Sequence, residues 1–353
     1  MELYTQPSII NTSLTSPLGN NQNGGDLTQP IQATDRKCTT DIPSLRPTSF
    51  KDYIGQQKIK DNLSISIQAA KKRGEALDHI LFYGPPGLGK TTLSMIVANE
   101  LGVNLRVTSG PAIEKAGELV GLLSSLSEGD VLFIDEIHRL PKVVEEVLYG
   151  AMEDYQVSLT IGQGQQTKAM NIGLPKFTLI GATTRAGMLS APLRDRFGML
   201  YRMEYYTPEE LCDVVRHTSS RLKFELTPDG YMQIAKASRG TPRIANNYTK
   251  RVRDFYDTQY DGNMTAEDVA NVLRSLGVQS EGLTDLDMRY LYALREAGSP
   301  LGVHTIAAML GEDVGTIEDV YEPYLIKNGY ILKTAQGRIL GEESSHLSFI
   351  KNK

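Results

Sequence analysis

The feature that most constrains the fold is a glycine-rich turn, YGPPGLGKTT, at residues 83–92. A short, mostly apolar run at 79–82 precedes the turn, and residues 93–101 follow it with apolar side chains at helical spacing. Between a strand and a helix, the pattern G-x-x-x-x-G-K-[ST] binds phosphate, because its glycines let backbone N–H groups converge on phosphate oxygens. The helix dipole adds positive potential there. The sequence therefore predicts a nucleotide-binding site at this strand-to-helix junction.

Four side chains have predicted roles in this nucleotide-binding site. Lys90 can reach the β and γ phosphates, and the hydroxyl of Thr91 can hold Mg²⁺. Residues 131–134 are apolar and are followed by two carboxylates, which is typical of a central parallel strand that ends at the carboxyl edge of a sheet. We expect Asp135 to belong to the Mg²⁺ shell. Glu136, one residue further, is placed to polarise an attacking water as general base.

Composition limits the other functional classes. A chain of 353 residues predicts two or three domains. The net charge of −5 argues against binding a polyanion by bulk charge. Cys38 and Cys212 lie far apart, so neither a disulfide framework nor a zinc site is expected, and a reducing compartment fits. With no leader or long apolar run, we expect a cytoplasmic protein without membrane contact. The Asn/Gln-rich residues 1–40 predict a disordered tail.

Further segments around the predicted sheet leave alternatives open. Residues 45–56 either form a strap beside the adenine or are a packing segment. A buried strand at 177–182 ends in Thr183 and Thr184, either of which could orient the lytic water. Arg196, beside a phenylalanine, either presents a charge at a surface or belongs to a solvated helix face. Alternating segments near 157–161 and 170–174 predict a β-hairpin with a long tip.

The second half of the chain predicts helices followed by a different small domain. From residue 207 to about 276 the pattern is helical only, and Arg243 there could reach back to a bound phosphate. After a linker at 277–282, helical patterns at 285–297, 302–310 and 315–327 precede two short strands, a winged-helix arrangement. Because this region holds more acids than bases, a protein-docking role remains open beside DNA binding.

Seven motifs between Leu45 and Phe349 resemble one family. They are LRPTSFKDYIGQ, GPPGLGKTT, SGPAIEKAG, EGDVLFIDEIHRL, LIGATTRAGMLSAPLRDRFG, RGTPRIAN and TIEDVYEPYLI. The chain resembles the RuvB family of AAA+ ATPases, the motor of Holliday-junction branch migration. The resemblance implies an α/β fold in three parts after the tail: an AAA+ P-loop parallel-sheet domain (41–206), a helical lid (207–277) and a C-terminal winged helix (280–353).

The resemblance also implies ligands and roles. The cofactors are ATP and Mg²⁺. The residues implied to contact nucleotide or metal are Leu45, Arg46 and Tyr206 at the nucleoside, Gly87, Lys90, Thr91 and Thr92 at the phosphates, and Thr91 and Asp135 at the metal. Glu136 is implied as the base, Thr183 or Thr184 as the first sensor, Arg243 as the second sensor and Arg196 as the arginine finger. Glu153, Asp154 and Tyr155 match a segment near the neighbouring subunit's nucleotide.

The partners implied are DNA, RuvA, RuvC and further copies of the chain in a homohexameric ring. The hairpin residues Leu159, Ile161, Met170 and Ile172 match the RuvA-docking element. Lys333 and Arg338 in the wing match DNA contacts, although the family tends to have arginines where this chain has Val314 and Lys333. A clamp-loader-like switch and a nucleotide-binding adapter with a dead site are the alternative functions. The presence of Lys90, Asp135, Glu136 and Arg196 argues against the adapter.

Overall fold

The computed structural model describes residues 45–161, 168–260, 262, 264–279 and 281–347. The predicted tail at 1–40 lies outside the described residues, as do the hairpin tip and the side chains of Leu159 and Ile161. Among the described residues, no helix is long and apolar enough to cross a membrane.

A five-stranded parallel sheet forms the centre of the first part of the chain. In chain order the strands, with those of the hairpin between them, are β1 (Ile80–Tyr83), β2 (Leu105–Ser109), β3 (Val131–Asp135), β4 (Gln156–Ile161), β5 (Lys168–Gly173), β6 (Thr178–Thr183) and β7 (Met199–Arg202). The order across the sheet is β2-β3-β6-β1-β7. Because β3, β6 and β1 are neighbours, their carboxyl ends meet at one edge, with Tyr83 beside Thr183 in register. The polar side chains that we predicted to form the site follow the strands at this edge of the sheet.

Helices cover both faces of the sheet. They are α1 (Gln57–Arg73), α2 (Lys90–Leu101), α3 (Ala116–Ser124), α4 (Lys142–Glu153) and α5 (Ala191–Arg194). Leu63 of α1 and Leu93 of α2 share a buried cluster with Phe82 of β1. On the opposite face Leu119 of α3 and Leu148 of α4 pack with Leu132 of β3. Side chains of one strand therefore alternate between two cores, as a doubly covered parallel sheet requires.

The predicted hairpin is present as a separate two-stranded sheet. β4 and β5 pair antiparallel, with position 159 opposite position 170. Val157 is buried and Ile172 is half-buried against the core, whereas Met170 is 47% exposed. The hairpin is thus anchored at its base.

Four helices follow: α6 (Pro208–Leu222), α7 (Pro228–Ala237), α8 (Pro242–Gln259) and α9 (Ala266–Ser275). The first three begin with proline at a position where the missing N–H is harmless, and Thr207 and Thr265 form capping boxes with acids three residues on. Their buried residues, such as Val215 and Val252, belong to the same cluster as Phe82.

The last part contains α10 (Asp285–Ala297), α11 (Val303–Leu310), α12 (Val314–Thr316), α13 (Glu322–Lys327), β8 (Ile331–Thr334) and β9 (Gly337–Leu340). The strands form an antiparallel wing. The helix predicted at 315–327 is present, and it contains a π-helical turn at Ile317–Tyr321. Pro323 accounts for this, since it has no N–H for an i→i−4 bond. The fold class, a P-loop sheet with a helical lid and a winged helix, is confirmed.

Candidate nucleotide site

The loop between β1 and α2 has the conformation of a phosphate cradle. Gly87 and Gly89 have φ of 79° and 99°, a region that favours glycine. Both are also closely covered: a Cβ at Gly89 would overlap the Tyr53 hydroxyl, and one at Gly87 would overlap Thr241 of the lid. The loop therefore needs glycine for its conformation and for the close approach of its neighbours.

Lys90 lies inside this loop. Its Nζ donates to the carbonyl oxygens of Gly84 (2.7 Å) and Pro85 (2.8 Å). Burial lowers the pKa of Lys90 to about 8, while the charges of Asp135 and Glu136 oppose the shift. The two carboxylates predicted from the second motif thus lie within electrostatic range of the ammonium group.

The two acids occupy the end of β3 as predicted. The Glu136 N–H donates to Asp135 Oδ1 (2.9 Å), and Glu136 has a left-handed backbone with φ of 49°. No group of three or more His, Cys, Asp or Glu side chains that could hold a metal occurs in the described part of the chain. Mg²⁺ is normally held by one or two protein oxygens together with phosphates and waters. Thr91 and Asp135 fit that donor set.

The two candidate sensors have different surroundings. Thr184 Oγ1 donates to Glu136 Oε2 over 3.4 Å. Thr183 is fully buried, and its Oγ1 lies 2.9 Å from Nδ1 of His138. That nitrogen is also 3.2 Å from Glu136 Oε2. Of the two threonines, Thr184 is therefore the one whose hydroxyl donates to the carboxylate of Glu136, the proposed base. His138, although part of the quoted DEIHRL motif, had no predicted role.

A cavity of about 440 Å³ opens beside the loop, between residues 45–54 and the lid. The predicted nucleoside contacts Leu45, Arg46 and Tyr206 all line it, together with Thr92. The sequence did not single out Tyr53, His217 and Asn246, which also line it. Tyr206 donates to the hydroxyl of Tyr53 (3.1 Å), which donates to Leu88 O (3.2 Å). Burial raises the pKa of Tyr53 to about 12, so this chain of donors stays intact at neutral pH.

Arg243 lies in the first turn of α8, the lid helix beside the loop. Its N–H donates to Gly87 O (3.3 Å), and its charge is among the influences that lower the pKa of Lys90. The side chain itself is exposed. Arg243 therefore lies beside the phosphate loop, as the sequence predicted for a side chain that reaches a bound phosphate.

Arg196 contacts elements other than the phosphate loop. Its guanidinium donates to Pro192 O (2.7 Å) and Glu153 (3.0 Å) and lies 4.6 Å from the ring centroid of Tyr149. Within the described ranges these partners belong to α4 and α5 and not to the phosphate loop. Asp154 is exposed on the same segment. The ring of Tyr155 points elsewhere and packs against His79 and Phe177.

Arg338 in the wing is paired with carboxylates of the preceding helical segment. Its side chain is 8% exposed, and it donates to Glu322 (2.8 Å) and Glu318 (2.8 Å). Tyr290 donates to the same Glu322 (3.0 Å). Two helix carboxylates thus pair with the guanidinium, and the DNA contact expected of Arg338 stays a prediction. Lys333 is half-exposed and pairs with Glu318 (3.2 Å), and Val314 packs against the core of the domain.

Three family models match consecutive parts of the chain. They describe the Holliday junction DNA helicase RuvB P-loop domain at residues 45–203, the RuvB AAA lid domain at 206–279 and the RuvB C-terminal winged helix domain at 280–347.

Individual proteins agree with these models. The relatives from Nitratiruptor sp. and Campylobacter concisus, both named Holliday junction branch migration complex subunit RuvB, are 54% and 56% identical over 297 residues. Each alignment covers 84% of this chain and 89% and 88% of the respective relative. The solved Thermotoga maritima RuvB Holliday junction branch migration motor superposes with a TM-score of 0.77 at 44% identity, over 88% of this chain and 99% of that one. From the three domain models and these relatives together, the chain belongs to the RuvB family.

Proposed function

We propose that this chain is an ATP-driven motor that translocates duplex DNA and so branch-migrates Holliday junctions in recombination and repair. The observation that carries the hydrolytic part is the meeting of a buried lysine, two carboxylates and a threonine hydroxyl at one edge of the sheet. Lys90, Asp135, Glu136 and Thr184 supply these groups. The printed names of the relatives support the four-way junction as substrate.

In this proposal ATP lies across the cleft. The nucleoside occupies the cavity lined by Leu45, Arg46 and Tyr206, and the phosphates lie on the loop from Gly87 to Thr92. Lys90 exchanges its two carbonyl acceptors for phosphate oxygens. Thr91 and Asp135 would hold Mg²⁺, which neutralises phosphate charge when bound. Glu136 polarises the attacking water, and Thr184, bonded to its carboxylate, serves as first sensor.

Arg196 acts on the nucleotide of a neighbouring subunit. The support is its contacts: among the described residues its guanidinium donates to Glu153 and Pro192 O and not to the phosphate loop of its own chain. A finger supplied from a neighbour stabilises the charge of the transition state. This requires the chains to assemble, and we propose a homohexameric ring in which Glu153 and Asp154 lie at the subunit interface.

Lid motion links hydrolysis to DNA. Thr241 and Arg243 lie against Gly87, and Arg239, in the same segment, donates to Gly282 O (2.6 Å) and pairs with Asp287 of the winged helix. A change at the phosphates is therefore passed to the winged helix through a short segment. The moving units are the ATPase domain (41–206), the lid (207–277) and the winged helix (280–353), the last of which binds duplex DNA.

The hairpin is the proposed docking site for RuvA. Met170 exposes nearly half of its surface on β5, whereas Ile172, nearer the base, packs on the core. An exposed apolar side chain on an anchored hairpin suits a protein partner. We place RuvC in the same assembly, and the whole complex in the cytoplasm.

The test combines three variants with a four-way junction. Glu136→Gln should keep ATP binding and lower turnover by roughly 10²–10⁴. Lys90→Ala and Arg196→Ala subunits should each be nearly inactive alone, and mixed rings should regain ATPase activity, since each supplies what the other lacks. Branch migration should require RuvA. Mixed rings without activity would contradict a finger acting between subunits, and DNA-stimulated ATPase without strand exchange would favour a loader.

A further inference from the structure

His138 is the buried polar group that joins the ends of two strands beside the proposed base. Its imidazole is 6% exposed, with Nδ1 at 2.9 Å from Thr183 Oγ1 and 3.2 Å from Glu136 Oε2. It belongs to a 3₁₀ turn that follows β3 directly, closed by the Arg139 N–H donating to Glu136 O (2.9 Å). Gly110 leaves room for that carbonyl, since a Cβ there would overlap it. The turn thus fixes where the imidazole lies.

The groups around Nδ1 indicate where the proton of His138 sits. Burial, with help from Arg185 and Arg139, lowers the pKa of His138, so the ring is neutral at physiological pH. A neutral imidazole donates from one nitrogen only. Nδ1 faces a carboxylate oxygen, which can only accept, so we assign the proton to Nδ1. Thr183 Oγ1 already accepts from the Arg185 N–H (3.0 Å) and keeps a second lone pair toward the ring.

We propose that His138 is a positioning residue for ATP hydrolysis: its Nδ1, hydrogen-bonded to Thr183 on the neighbouring strand, lies 3.2 Å from Glu136 Oε2 and keeps that carboxylate in one orientation. This inference rests on the proposed role of Glu136 as general base. The carboxylate is 36% exposed, and its other partner, Thr184, is at the long distance of 3.4 Å. Without His138 the carboxylate is free to turn into solvent and away from the water that it must polarise.

The test is a rescue series. His138→Leu removes the donor, whereas His138→Asn places an amide N–H close to the position of Nδ1. We expect His138→Leu to lower kcat by about 10²-fold, the scale of a misplaced catalytic group, with unchanged KM for ATP and unchanged Kd for ADP. His138→Asn should recover most of kcat. His79→Gln is the matched control: His79 is another buried histidine of this domain, bonded to Met152 O and the Leu179 N–H, and kcat should survive its loss.

A second comparison separates this inference from the role of the base. In a Glu136→Gln background, His138→Leu should cause no further loss, because it acts through that carboxylate. Unchanged kcat in His138→Leu, with turnover lost in Glu136→Gln, would overturn the inference alone. Equal losses in the Leu and Asn variants would also overturn it, by showing that the ring serves packing. Normal turnover in Glu136→Gln would overturn the base assignment and the inference together.

Discussion

At the scale of single residues, Arg338 joins the wing to the helical segment that precedes it. The wing position suggested a phosphate contact, yet the guanidinium lies among Glu318, Glu322 and Tyr290. The carboxylate of Glu322 is 3% exposed, so removing its cation leaves a buried charge unpaired. Arg338 therefore belongs first to the stability of the winged helix.

This makes a prediction about unfolding. Arg338→Ala should destabilise the winged helix by about 3–5 kcal/mol, the cost of breaking a buried pair from one side. Lys333→Ala, which removes an exposed partner of Glu318, should cost no more than about 1 kcal/mol. Thermal unfolding of both variants, with duplex binding measured at several salt concentrations, checks this. The opposite result is an Arg338→Ala variant that is folded and stable, and whose DNA affinity depends less on salt by the equivalent of one phosphate contact. That result would assign Arg338 a direct DNA contact.

At the scale of elements, His79 links β1, α4 and β6. Its Nδ1 accepts from the Leu179 N–H (2.9 Å), and its Nε2 donates to Met152 O (3.1 Å). Both bonds use the neutral ring, and burial lowers the pKa of His79 from its usual 6.5. Protonation would cost the first of these bonds, because Nδ1 could then no longer accept.

The sign of the pH effect follows. A group with a lowered folded pKa contributes stability that is complete above its unfolded pKa and is lost as pH falls from about 6.5 toward the folded value. The free energy of unfolding should therefore fall between pH 7.5 and 5.5, by no more than about 1.4 kcal/mol per pH unit for this one proton. Urea unfolding of wild type and His79→Gln should show a shallower pH dependence in the variant. Parallel curves would assign the dependence to other groups.

The local sequence pattern predicted most of these elements. The contacts that it missed join residues that are far apart in the chain. The phosphate loop, the apolar strands and the capped helices are encoded in a few consecutive residues, and they were found where expected. His138 meets Thr183 from 45 positions away, and Tyr53 meets Tyr206 from 153 positions away. Neither meeting is visible in periodicity or spacing. The ion pairs of Arg338 were missed for the same reason, since its carboxylates come from a helix and not from the wing.

At the scale of the whole molecule, the winged helix is fastened in two different ways. Arg239 of the lid is mostly buried; it contacts Asp287 and Gly282 O, and its guanidinium lies 4.6 Å from the ring centroid of Tyr324. Arg185, directly after the sensor threonines, forms an ion pair with Asp319, and both side chains are about half exposed. The Arg239 contact is mostly buried, whereas the exposed Arg185–Asp319 pair can open in water at little cost in free energy. Lid and winged helix should thus move together, with a breakable link to the sensor strand.

A matched pair of substitutions tests this. Arg239→Lys keeps the charge but loses the guanidinium fork. It should weaken the lid–winged-helix contact by about 1.5–3 kcal/mol, the contribution of charge-assisted hydrogen bonds. Limited proteolysis at 277–282 should become faster, and branch migration should fall while basal ATPase activity persists. Asp319→Asn, at the exposed pair, should leave proteolysis unchanged. Equal protection of the linker in wild type and Arg239→Lys would show that the two parts are held by other contacts.

The contact between Gly87 and the lid also limits how this sequence can diverge. Position 87 faces Thr241 and Arg243 so closely that any side chain there would displace the lid helix from the phosphate loop. A lineage that lost this glycine would need a simultaneous change in a different domain, at a position more than 150 residues away. The residue at position 87 and the start of the lid helix therefore depend on each other through this contact. In a chimera whose ATPase domain and lid come from distantly related proteins, the residues that meet at this contact would not be matched to each other.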